Sequence, residues 1–247
     1  MPLTSNKERA DERLVDQGLA ADRKEALALL MAGQVVADGQ RVDKPGTLLD
    51  PGVDLRLKSA PDRYVSRGGL KLEGALEALS LEVKDLVCLD LGASTGGFTD
   101  CLLQHGARRV HAFDVGTGQL DWKLQQDGRV AVHDNVNVRN LDPSMVGDRV
   151  DLIVADLSFI SLSLVLAALK AFAPVRILAL VKPQFEARRE EVESGGLIRD
   201  ESLRQRIVKR IEDFALHSGF TILGKADSPL TGRRGNQETF LLIETGD

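Results

Sequence analysis

Residues 177–181 of this chain are all apolar, and the run ends at a lysine, Lys182, followed by a proline in the stretch "ILALVKPQFE". A second apolar run, "DLIVAD", ends at an acidic residue, Asp156. Lysines and carboxylates are side chains that exchange protons with a bound substrate. A lysine at a strand tip can also simply reach out to solvent. Which of the two applies here depends on the surrounding residues.

Two further residues of the same types are expected beside this pair. Side chains at the carboxyl ends of strands in an open α/β sheet border the ligand crevice, so Asp156 and Lys182 should both face it. Lys71 is expected to enter from a helix, and Glu238 from the start of the last strand, "GNQETFLLI". Two lysines interleaved with two carboxylates would form a compact, near-neutral set of four.

A glycine-rich turn follows another apolar strand in "VCLDLGASTGGFTDCLLQHG". The spacing Gly92-x-x-x-Gly96-Gly97 differs from the dinucleotide pattern G-x-G-x-x-G, but it still lets backbone N–H groups approach a ligand. Asp90 precedes the turn, and Asp114 ends the next strand, where it could accept hydrogen bonds from ribose hydroxyls. Asp134 follows the third strand, where it could receive an adenine amino group. These carboxylates favour a cationic nucleoside such as S-adenosylmethionine; the alternative is turn glycines with solvated carboxylates.

The elements that must hold these residues alternate along the chain after about residue 70. Apolar strand patterns separated by amphipathic helices are typical of an open, mainly parallel α/β sheet. No helical pattern separates the last two strands, which predicts an antiparallel hairpin at the sheet edge. A helix is predicted from Leu72. Strands are predicted at 86–91, 109–114, 129–132, 151–156, 176–182, 220–224 and 238–243.

Residues 9–59 form a separate pattern of two short helices and a small sheet, with the second helix closed by Gly33 at its C′ position. Turns are predicted at Asp38-Gly39 and at Asp50-Pro51-Gly52. The pattern resembles the S-four-like RNA-binding domain through Arg9, Asp11 and the stretch "DRKEALALLMAGQVVADG". It departs from that family at Arg13, where an aliphatic residue is usual. The resemblance implies RNA contacts from Arg9, Arg23 and Lys24; a solvated helix face is the alternative.

Six motifs in order along the rest of the chain resemble the FtsJ-like RNA 2′-O-methyltransferases. They are "VSRGGLKLEGAL", "LDLGASTGGFTD", "HDNVNVRNL", "DLIVADLSFISL", "LVKPQFE" and "GNQETFLLI". Together with the N-terminal pattern they resemble the hemolysin-A-type (TlyA) rRNA methyltransferases. This resemblance implies a Rossmann-like α/β methyltransferase sheet over residues 61–247, with 61–70 as a linker, and a small α+β S-four-like domain over residues 1–60.

The resemblance also implies roles for individual residues. The family's Lys-Asp-Lys-Glu catalytic tetrad falls on Lys71, Asp156, Lys182 and Glu238. The S-adenosylmethionine site falls on Asp90, Gly92, Ala93, Ser94, Thr95, Gly96, Gly97, Phe98, Asp114, Val115, Gly116, Asp134, Asn135 and Asp156. One departure is the pair Asp134-Asn135, where the family more often has Glu-Arg.

The implied reaction gives Lys182 a specific task. A ribose 2′-hydroxyl is a poor nucleophile until a base takes its proton, and a lysine can do so only in its neutral form. Desolvation by the apolar strand and nearby positive charge, from Lys71 and the bound sulfonium, favour that form. Asp156 and Glu238 are expected to hold Lys182 in place. The methyl transfer itself is an in-line displacement, for which alignment is the main requirement.

The bulk properties agree with such a protein without proving it. The 247 residues are 43% hydrophobic and carry a net charge of −5, so any RNA contact must come from a local basic face. The candidates in the second domain and linker are Arg63, Arg67, Arg233 and Arg234. Cys88 and Cys101 read as buried thiols of a reducing compartment, no metal-ligand motif occurs, and no apolar run could span a bilayer. We therefore expect a cytoplasmic, non-membrane protein with no evident protein partner.

The sequence analysis predicts S-adenosylmethionine-dependent 2′-O-methylation of a ribose of ribosomal RNA. The resemblance points to a cytidine of 23S rRNA, with 16S rRNA as a second substrate left open. A NAD-dependent oxidoreductase shares the sheet, but the glycine spacing is wrong and no hydride-site His or Tyr stands out. A non-catalytic RNA-binding ribosome assembly factor would tolerate the loss of Lys182. A membrane-lytic hemolysin is suggested only by the historical name of the family.

Overall fold

The computed structural model describes residues 7–38, 40–57, 63–192, 195–232 and 234–246. Three sequence predictions therefore fall on residues outside the described ranges: the second residue of the Asp38-Gly39 turn, residues 61 and 62 of the expected linker, and the candidate RNA contact Arg233. The chain divides into two compact units, residues 1–63 and residues 64–247. Each unit has a hydrophobic core of its own.

The first unit contains two short helices and two small antiparallel sheets. In chain order its elements are β1 (Glu8–Arg9), α1 (Ala10–Asp16), α2 (Arg23–Met31), β2 (Val35–Ala37), β3 (Gln40–Val42), β4 (Leu48–Leu49) and β5 (Leu55–Leu57). Strand β1 pairs with β4, and β2 lies between β3 and β5. The side chain of Asp22 accepts a hydrogen bond from the Glu25 amide at the start of α2. Gly33 follows the helix with φ +66°, as its predicted C′ position requires.

Arg13 has a structural task that the sequence pattern did not indicate. Its side chain is buried, and its guanidinium donates hydrogen bonds of 2.8 Å to the backbone carbonyls of Asp50 and Val53. These two carbonyls flank the turn at Asp50-Pro51-Gly52 that leads into β5. Arg13 therefore satisfies acceptors in a turn that no strand partner reaches, which explains how a charged residue occupies a packing position on α1.

The second unit is built around a sheet of seven strands. Its strands are β6 (Val87–Leu91), β7 (Arg109–Phe113), β8 (Val130–His133), β9 (Leu152–Ala155), β10 (Arg176–Val181), β11 (Phe220–Asp227) and β12 (Thr239–Thr245). The order across the sheet is β11-β12-β10-β9-β6-β7-β8, with β12 antiparallel to both neighbours and all other pairs parallel. The predicted α/β sheet and its antiparallel edge hairpin are confirmed.

Helices cover both faces of this sheet. They are α3 (Arg67–Ala78), α4 (Gly97–Gln104), α5 (Trp122–Gln125), α6 (Leu162–Leu169), α7 (Pro183–Glu186) and α8 (Glu201–His217), with short 3₁₀ turns at Val138–Asn140, Pro143–Met145, Lys170–Phe172 and Arg189–Glu191. Alternate strand residues point to opposite faces, so Ile153 packs in one core with α6 and α8. Its neighbour Val154 packs in the other core with α3 and α4. Central strands buried on both faces explain the unbroken apolar runs of the sequence.

Helix α3 begins earlier than predicted, at Arg67 rather than Leu72, so residues 67–70 of the expected linker are helical. Glycines weaken helices, which is why the Gly68-Gly69 pair suggested a linker. Here a Cβ on Gly69 would overlap the buried ring of Tyr64, and Gly68 lies against Phe98 and Gly97 of α4. The glycines are explained by this close packing. No helix within the described ranges is long and apolar enough to cross a membrane.

The carbonyl contacts of Arg13 lead to a prediction about the first unit. Arg13→Ala should lower its free energy of unfolding by about 2 kcal/mol, because two hydrogen bonds from a charged donor are lost. Hydrogen exchange of the amides in residues 10–57, followed with increasing urea in the full chain, measures this. Arg56→Ala is the matched control, since Arg56 is exposed and its ion pair with Asp54 lies at the surface. Equal protection in the two variants would contradict the role of Arg13.

Candidate active site

The predicted functional residues of the second unit gather at one edge of the sheet. Asp114, Asp134, Asp156 and Lys182 each follow directly after a parallel strand, β7, β8, β9 or β10. Glu238 precedes β12, and because β12 runs antiparallel, its start lies at the same edge. Strand order therefore brings together residues that are far apart in the sequence.

Lys182 is paired with Asp156 across the tips of β10 and β9. The Nζ atom of Lys182 lies 2.6 Å from Oδ1 of Asp156, and it donates a hydrogen bond of 3.0 Å to Oγ of Ser158. The side chain of Lys182 is only 11% exposed, so the apolar strand does deliver this amine to a largely desolvated position. The alternative from the sequence, a lysine that reaches out from the strand tip into solvent, does not describe this arrangement.

Lys71 is paired with Glu238 in a second, more deeply buried contact. Nζ of Lys71 lies 2.5 Å from Oε2 of Glu238, although the two residues are 167 positions apart. Two glycines permit the approach. A Cβ on Gly74, one turn after Lys71 in α3, would come within 2.7 Å of the ring of Pro229, and a Cβ on Gly232 would come within 2.5 Å of Oε1 of Glu238.

Sheet register places the two ion pairs next to each other. The last paired residues of β10 and β12 are Val181 and Thr239, so Lys182 and Glu238 face each other one position further along. Asp156 was expected to share the binding of Lys182 with Glu238. The structure instead assigns Asp156 to Lys182 and Glu238 to Lys71, which leaves each buried amine with one carboxylate of its own.

The glycine turn lies directly against the backbone at Asp156. Gly92 has φ +84°, and a Cβ at this position would come within 2.8 Å of the carbonyl oxygen of Asp156. Gly96 has φ +95° and lies against Leu120 and Leu124, while a Cβ on Gly97 would collide with Ser66. These contacts explain the spacing of the motif, because each glycine meets a neighbouring element where no side chain fits. The turn residues Ala93, Ser94 and Thr95 lie between them, and Phe98 is buried beneath the turn in α4.

Asp90 is fully buried below this turn. One carboxylate oxygen, Oδ2, accepts hydrogen bonds from the backbone N–H and the hydroxyl of Thr99, at 2.9 and 2.6 Å. The other, Oδ1, has no hydrogen-bond partner among the described residues. Burial raises the pKa of Asp90 to about 7, and the negative charges of Asp156 and Asp114 contribute in the same direction. A buried acceptor without a partner, surrounded by carboxylates, is suited to a cationic or hydrogen-bond-donating ligand.

The two carboxylates after β7 and β8 organise the loop between them. Asp114 accepts a 2.8 Å hydrogen bond from the backbone N–H of Ser94 on one oxygen and of Gly116 on the other. Asp134 accepts from the backbone N–H of Gly118, at 2.9 Å. Each carboxylate oxygen retains a free lone pair for a ligand. Next to them, Val115 is exposed, and the side chain of Asn135 accepts a hydrogen bond from the hydroxyl of Thr117.

The candidate RNA-binding residues are placed differently from one another. In the second unit, Arg67 is exposed at the start of α3, and the guanidinium of Arg234 donates to the carbonyl of Gly195. In the first unit, Lys24 and Arg63 are exposed. Arg9 and Arg23 both bind the fully buried carboxylate of Asp11, at 2.9 and 3.1 Å, and the hydrogen bond from Arg9 is the main cause of the lowered pKa of Asp11. These two arginines therefore have a structural partner.

Two residues near Lys182 were missed by sequence reasoning. Ser158 contacts the lysine directly. Phe159 follows it with its side chain 90% exposed and φ +64°, a conformation that costs a bulky residue about 1–2 kcal/mol. The ring of Phe159 lies 5.0 Å from that of Phe185. The only signal in the sequence was a phenylalanine in the loop after a strand tip, which is indistinguishable from a core residue by pattern alone.

The side chains at this edge are suited to transferring a proton next to the glycine turn. Two amine–carboxylate pairs, a hydroxyl and an exposed aromatic ring lie at the same sheet edge as a glycine turn that has carboxylates around it. Within the described ranges, no group of three His, Cys, Asp or Glu side chains is arranged to hold a metal ion.

Comparison with known proteins shows which family this chain is similar to. The model of the family described as FtsJ-like methyltransferase matches residues 64–245. The chain is 47% identical over 240 residues to the 16S/23S rRNA (cytidine-2′-O)-methyltransferase TlyA of Mycobacterium tuberculosis, covering 96% of this chain and 90% of that protein. It is 37% identical over 235 residues to Hemolysin A of Brachyspira hyodysenteriae, covering 93% and 97% of the two chains. A solved structure from Streptococcus thermophilus that carries a hemolysin name is 44% identical, with a TM-score of 0.74 over 99% of this chain and 90% of that one.

The environment of Asp90 leads to a prediction about stability and pH. Because its pKa is higher in the folded than in the unfolded chain, the folded state binds this proton more tightly, and stability is lost as the pH rises from about 4 through about 7. Asp90→Asn removes the ionisation and keeps an acceptor for Thr99. Between pH 5 and pH 8 the variant should gain roughly 2–3 kcal/mol relative to the wild type in urea unfolding.

Asp142→Asn is the control for this measurement. Hydrogen bonds from Ser144 lower the pKa of the exposed Asp142, so both pH values lie above its titration in the folded and unfolded chain. The difference between this variant and the wild type should therefore be the same at pH 5 and pH 8. A pH-independent difference for Asp90→Asn as well would contradict a raised pKa at Asp90.

Proposed function

We propose that this chain, which belongs to the FtsJ-like methyltransferase family, transfers a methyl group from S-adenosylmethionine to the 2′-hydroxyl of a cytidine in ribosomal RNA. The observation that carries the proposal is the two amine–carboxylate contacts, Lys182–Asp156 and Lys71–Glu238, at the sheet edge that also holds the glycine turn. The name of the Mycobacterium tuberculosis relative supports the choice of substrate. Such a protein would act in the cytoplasm, where ribosomal RNA is found.

The residues around the glycine turn fit S-adenosylmethionine. Asp90 offers a buried oxygen that no described residue bonds, and the turn from Gly92 to Phe98 offers backbone close to the strand ends. Asp114 and Asp134 have acceptor capacity left for ribose hydroxyls and an adenine amino group, and the exposed side chain of Val115 is available to pack against a base. When bound, this cofactor supplies a methyl group on a positively charged sulfur. The carboxylates of the site compensate that charge.

Lys182 is the residue we assign as the general base. Its Nζ atom must be neutral to accept the proton of a 2′-hydroxyl, and its side chain is only 11% exposed at the tip of β10. Asp156 and Ser158 hold the amine at the strand tip, so that a free lone pair can be aimed at the substrate. The second pair, Lys71–Glu238, lies next to Lys182 at the same sheet edge and leaves Lys182 with Asp156 as its own carboxylate partner.

The RNA is proposed to contact both units. Phe159 presents an exposed ring one residue after Ser158, which suits stacking on a nucleobase. Arg67 is an exposed candidate for a phosphate contact in the second unit. The first unit is proposed to be the S-four-like RNA-binding domain. Lys24 and Arg63 are exposed there, and the side chain of Arg9 pairs with Asp11 while remaining 40% exposed. The unit's arrangement of helices and strands supports this proposal.

Methylation of isolated ribosomal subunits tests the function. Small and large subunits lacking ribose methylation would be incubated separately with the protein and S-adenosylmethionine carrying a labelled methyl group. Digestion to nucleosides and mass spectrometry should then show 2′-O-methylcytidine in 23S rRNA, and the small-subunit sample decides whether 16S rRNA is also a substrate. Label on a base, or no label in either subunit, would contradict the proposal.

Asp114→Ala tests the cofactor site. We expect binding of S-adenosylmethionine, measured by calorimetry without RNA, to weaken by about 1.5–3 kcal/mol, as for the loss of a hydrogen bond to a charged group. Asp127→Ala is the control, because Asp127 pairs with Arg129 and is not part of the glycine turn or the loop that Asp114 holds. Unchanged binding in Asp114→Ala would rule out a ribose contact at this residue.

Lys182→Arg tests the general base. Arginine keeps the charge and the ability to contact Asp156 and Ser158, but it cannot lose a proton at any workable pH. We expect single-turnover methyl transfer to fall by roughly 10²–10⁴-fold, with little change in cofactor or RNA binding. Lys225→Arg is the control, since the side chain of Lys225 is exposed and its amine is paired with Glu212. Near-normal transfer by Lys182→Arg would contradict the role of general base and leave Lys182 with a structural role only.

A further inference from the structure

A carboxylate next to the candidate site, Glu186, has no role in the proposed chemistry. It ends α7, four residues after Lys182, and its side chain crosses to the start of α6. Oε1 accepts a 2.8 Å hydrogen bond from the backbone N–H of Leu162, and Oε2 accepts a 2.6 Å hydrogen bond from the hydroxyl of Ser161. Glu186 thus joins the segment that carries Lys182 to the segment that carries Asp156, Ser158 and Phe159.

The second of these segments has few backbone attachments, although the side chains of Leu157 and Ile160 pack at the core. The pairing of β9 with β10 ends at Ala155 and Ala179, and the amide of Asp156 still bonds to the carbonyl of Leu91 on β6. Residues 157–160 form no backbone hydrogen bond with any described residue. They include Phe159 in its left-handed conformation. Their position therefore depends on side-chain contacts and on where α6 begins.

The segment after Lys182 is well fixed by comparison. β10 pairs with β12 up to Val181, and Pro183 opens the single turn of α7, in which the Phe185 amide bonds to the carbonyl of Lys182. The ring of Phe185 lies 5.9 Å from Nζ of Lys182 and packs against Phe159. Lys182 and Glu186 are thus the two ends of one short, rigid turn.

We propose that Glu186 is a positioning residue, which anchors residues 156–161 to the turn after Lys182 and thereby holds Ser158 and Asp156 at the Lys182 amine. This role rests on the proposed function, since it concerns alignment of the proposed base. Displacement of a catalytic contact by about 1 Å can cost about 100-fold in rate. A loop without backbone attachments is where such a displacement arises first.

The buried environment of Glu186 opposes the ionisation of its carboxyl group. Burial raises its pKa, and the hydrogen bonds from Leu162 and Ser161, together with the charge of Arg210, act in the opposite direction. The benefit lies in the two hydrogen bonds. A glutamine can keep both contacts, because its carbonyl oxygen can accept from the Leu162 N–H while its amide N–H donates to Oγ of Ser161, whose own proton then turns to Oγ of Ser163. A neutral glutamine should therefore replace Glu186, whereas alanine should not.

The experiment compares Glu186→Ala and Glu186→Gln with a control, Glu212→Ala. Glu212 is a buried carboxylate of α8 that pairs with Lys225, outside the candidate site. Two quantities are measured in the full chain: hydrogen exchange of the amides in residues 157–164, and single-turnover methyl transfer to ribosomal subunits. In Glu186→Ala we expect faster exchange at Leu162 and a fall in transfer rate of roughly 10–100-fold, with cofactor affinity within about twofold of the wild type.

The variants separate positioning from general destabilisation. Glu186→Gln should restore the transfer rate to within about threefold of the wild type, and Glu212→Ala should leave the rate and the exchange of residues 157–164 unchanged. Normal exchange in Glu186→Ala, a normal transfer rate, or an equal loss in Glu212→Ala would each overturn the proposal. If the wild type itself transfers no methyl group, the proposed function falls as well; if only the Glu186 variants behave unexpectedly, the function stands and this role is wrong.

Discussion

The ion pair between Lys182 and Asp156 is the interaction on which the rest of the candidate site depends. A lysine amine that is largely removed from water needs a carboxylate nearby, and a half-buried carboxylate needs a cation. The two residues come from neighbouring parallel strands, so the pair exists only because β9 and β10 lie side by side with a fixed register. The same demand is met a second time by Lys71 and Glu238, where α3 supplies the cation and β12 the carboxylate.

Glycines allow close packing both at the two ion pairs and at the glycine turn. Gly92 has no room for a side chain because the carbonyl of Asp156 lies against it. The main chain of the glycine turn, which is proposed to bind the cofactor, therefore packs against the main chain of Asp156, whose carboxylate holds the proposed base. Gly74 and Gly232 have the same effect at the Lys71–Glu238 pair. Space for a neighbouring carbonyl or side chain, rather than flexibility, is what these glycines contribute to the site.

The N-terminal unit shows how charged side chains can serve structure before function. Arg13 closes a turn through two backbone carbonyls, and Arg9 and Arg23 share the buried carboxylate of Asp11. A basic residue in an RNA-binding pattern is easily interpreted as a phosphate contact. In a unit of about sixty residues with a small core, such networks also supply part of the stability, because little apolar surface is available to bury.

The sequence by itself determined the sheet and the kinds of residues at its edge. Apolar runs with turn signals predict central strands, because strands buried on both faces must be apolar throughout, and this pattern is local. The residue types that end these runs, Asp114, Asp156 and Lys182, could be read in the same way. Lys71 and Glu238 were expected beside them from the order of the elements, and the motif resemblance implied the same four residues, but neither indicated how the four pair.

Only the tertiary structure decided the partners and the environments. That Lys71 meets Glu238 across 167 residues follows from the packing of α3 and the antiparallel course of β12, which no local pattern encodes. The raised pKa of Asp90 and the exposure of Phe159 likewise depend on surrounding elements. Helix α3 begins at Arg67 and carries Gly69 where the ring of Tyr64 leaves no room for a side chain. Secondary structure follows from neighbours along the chain, whereas ion pairs, burial and close packing follow from neighbours in space.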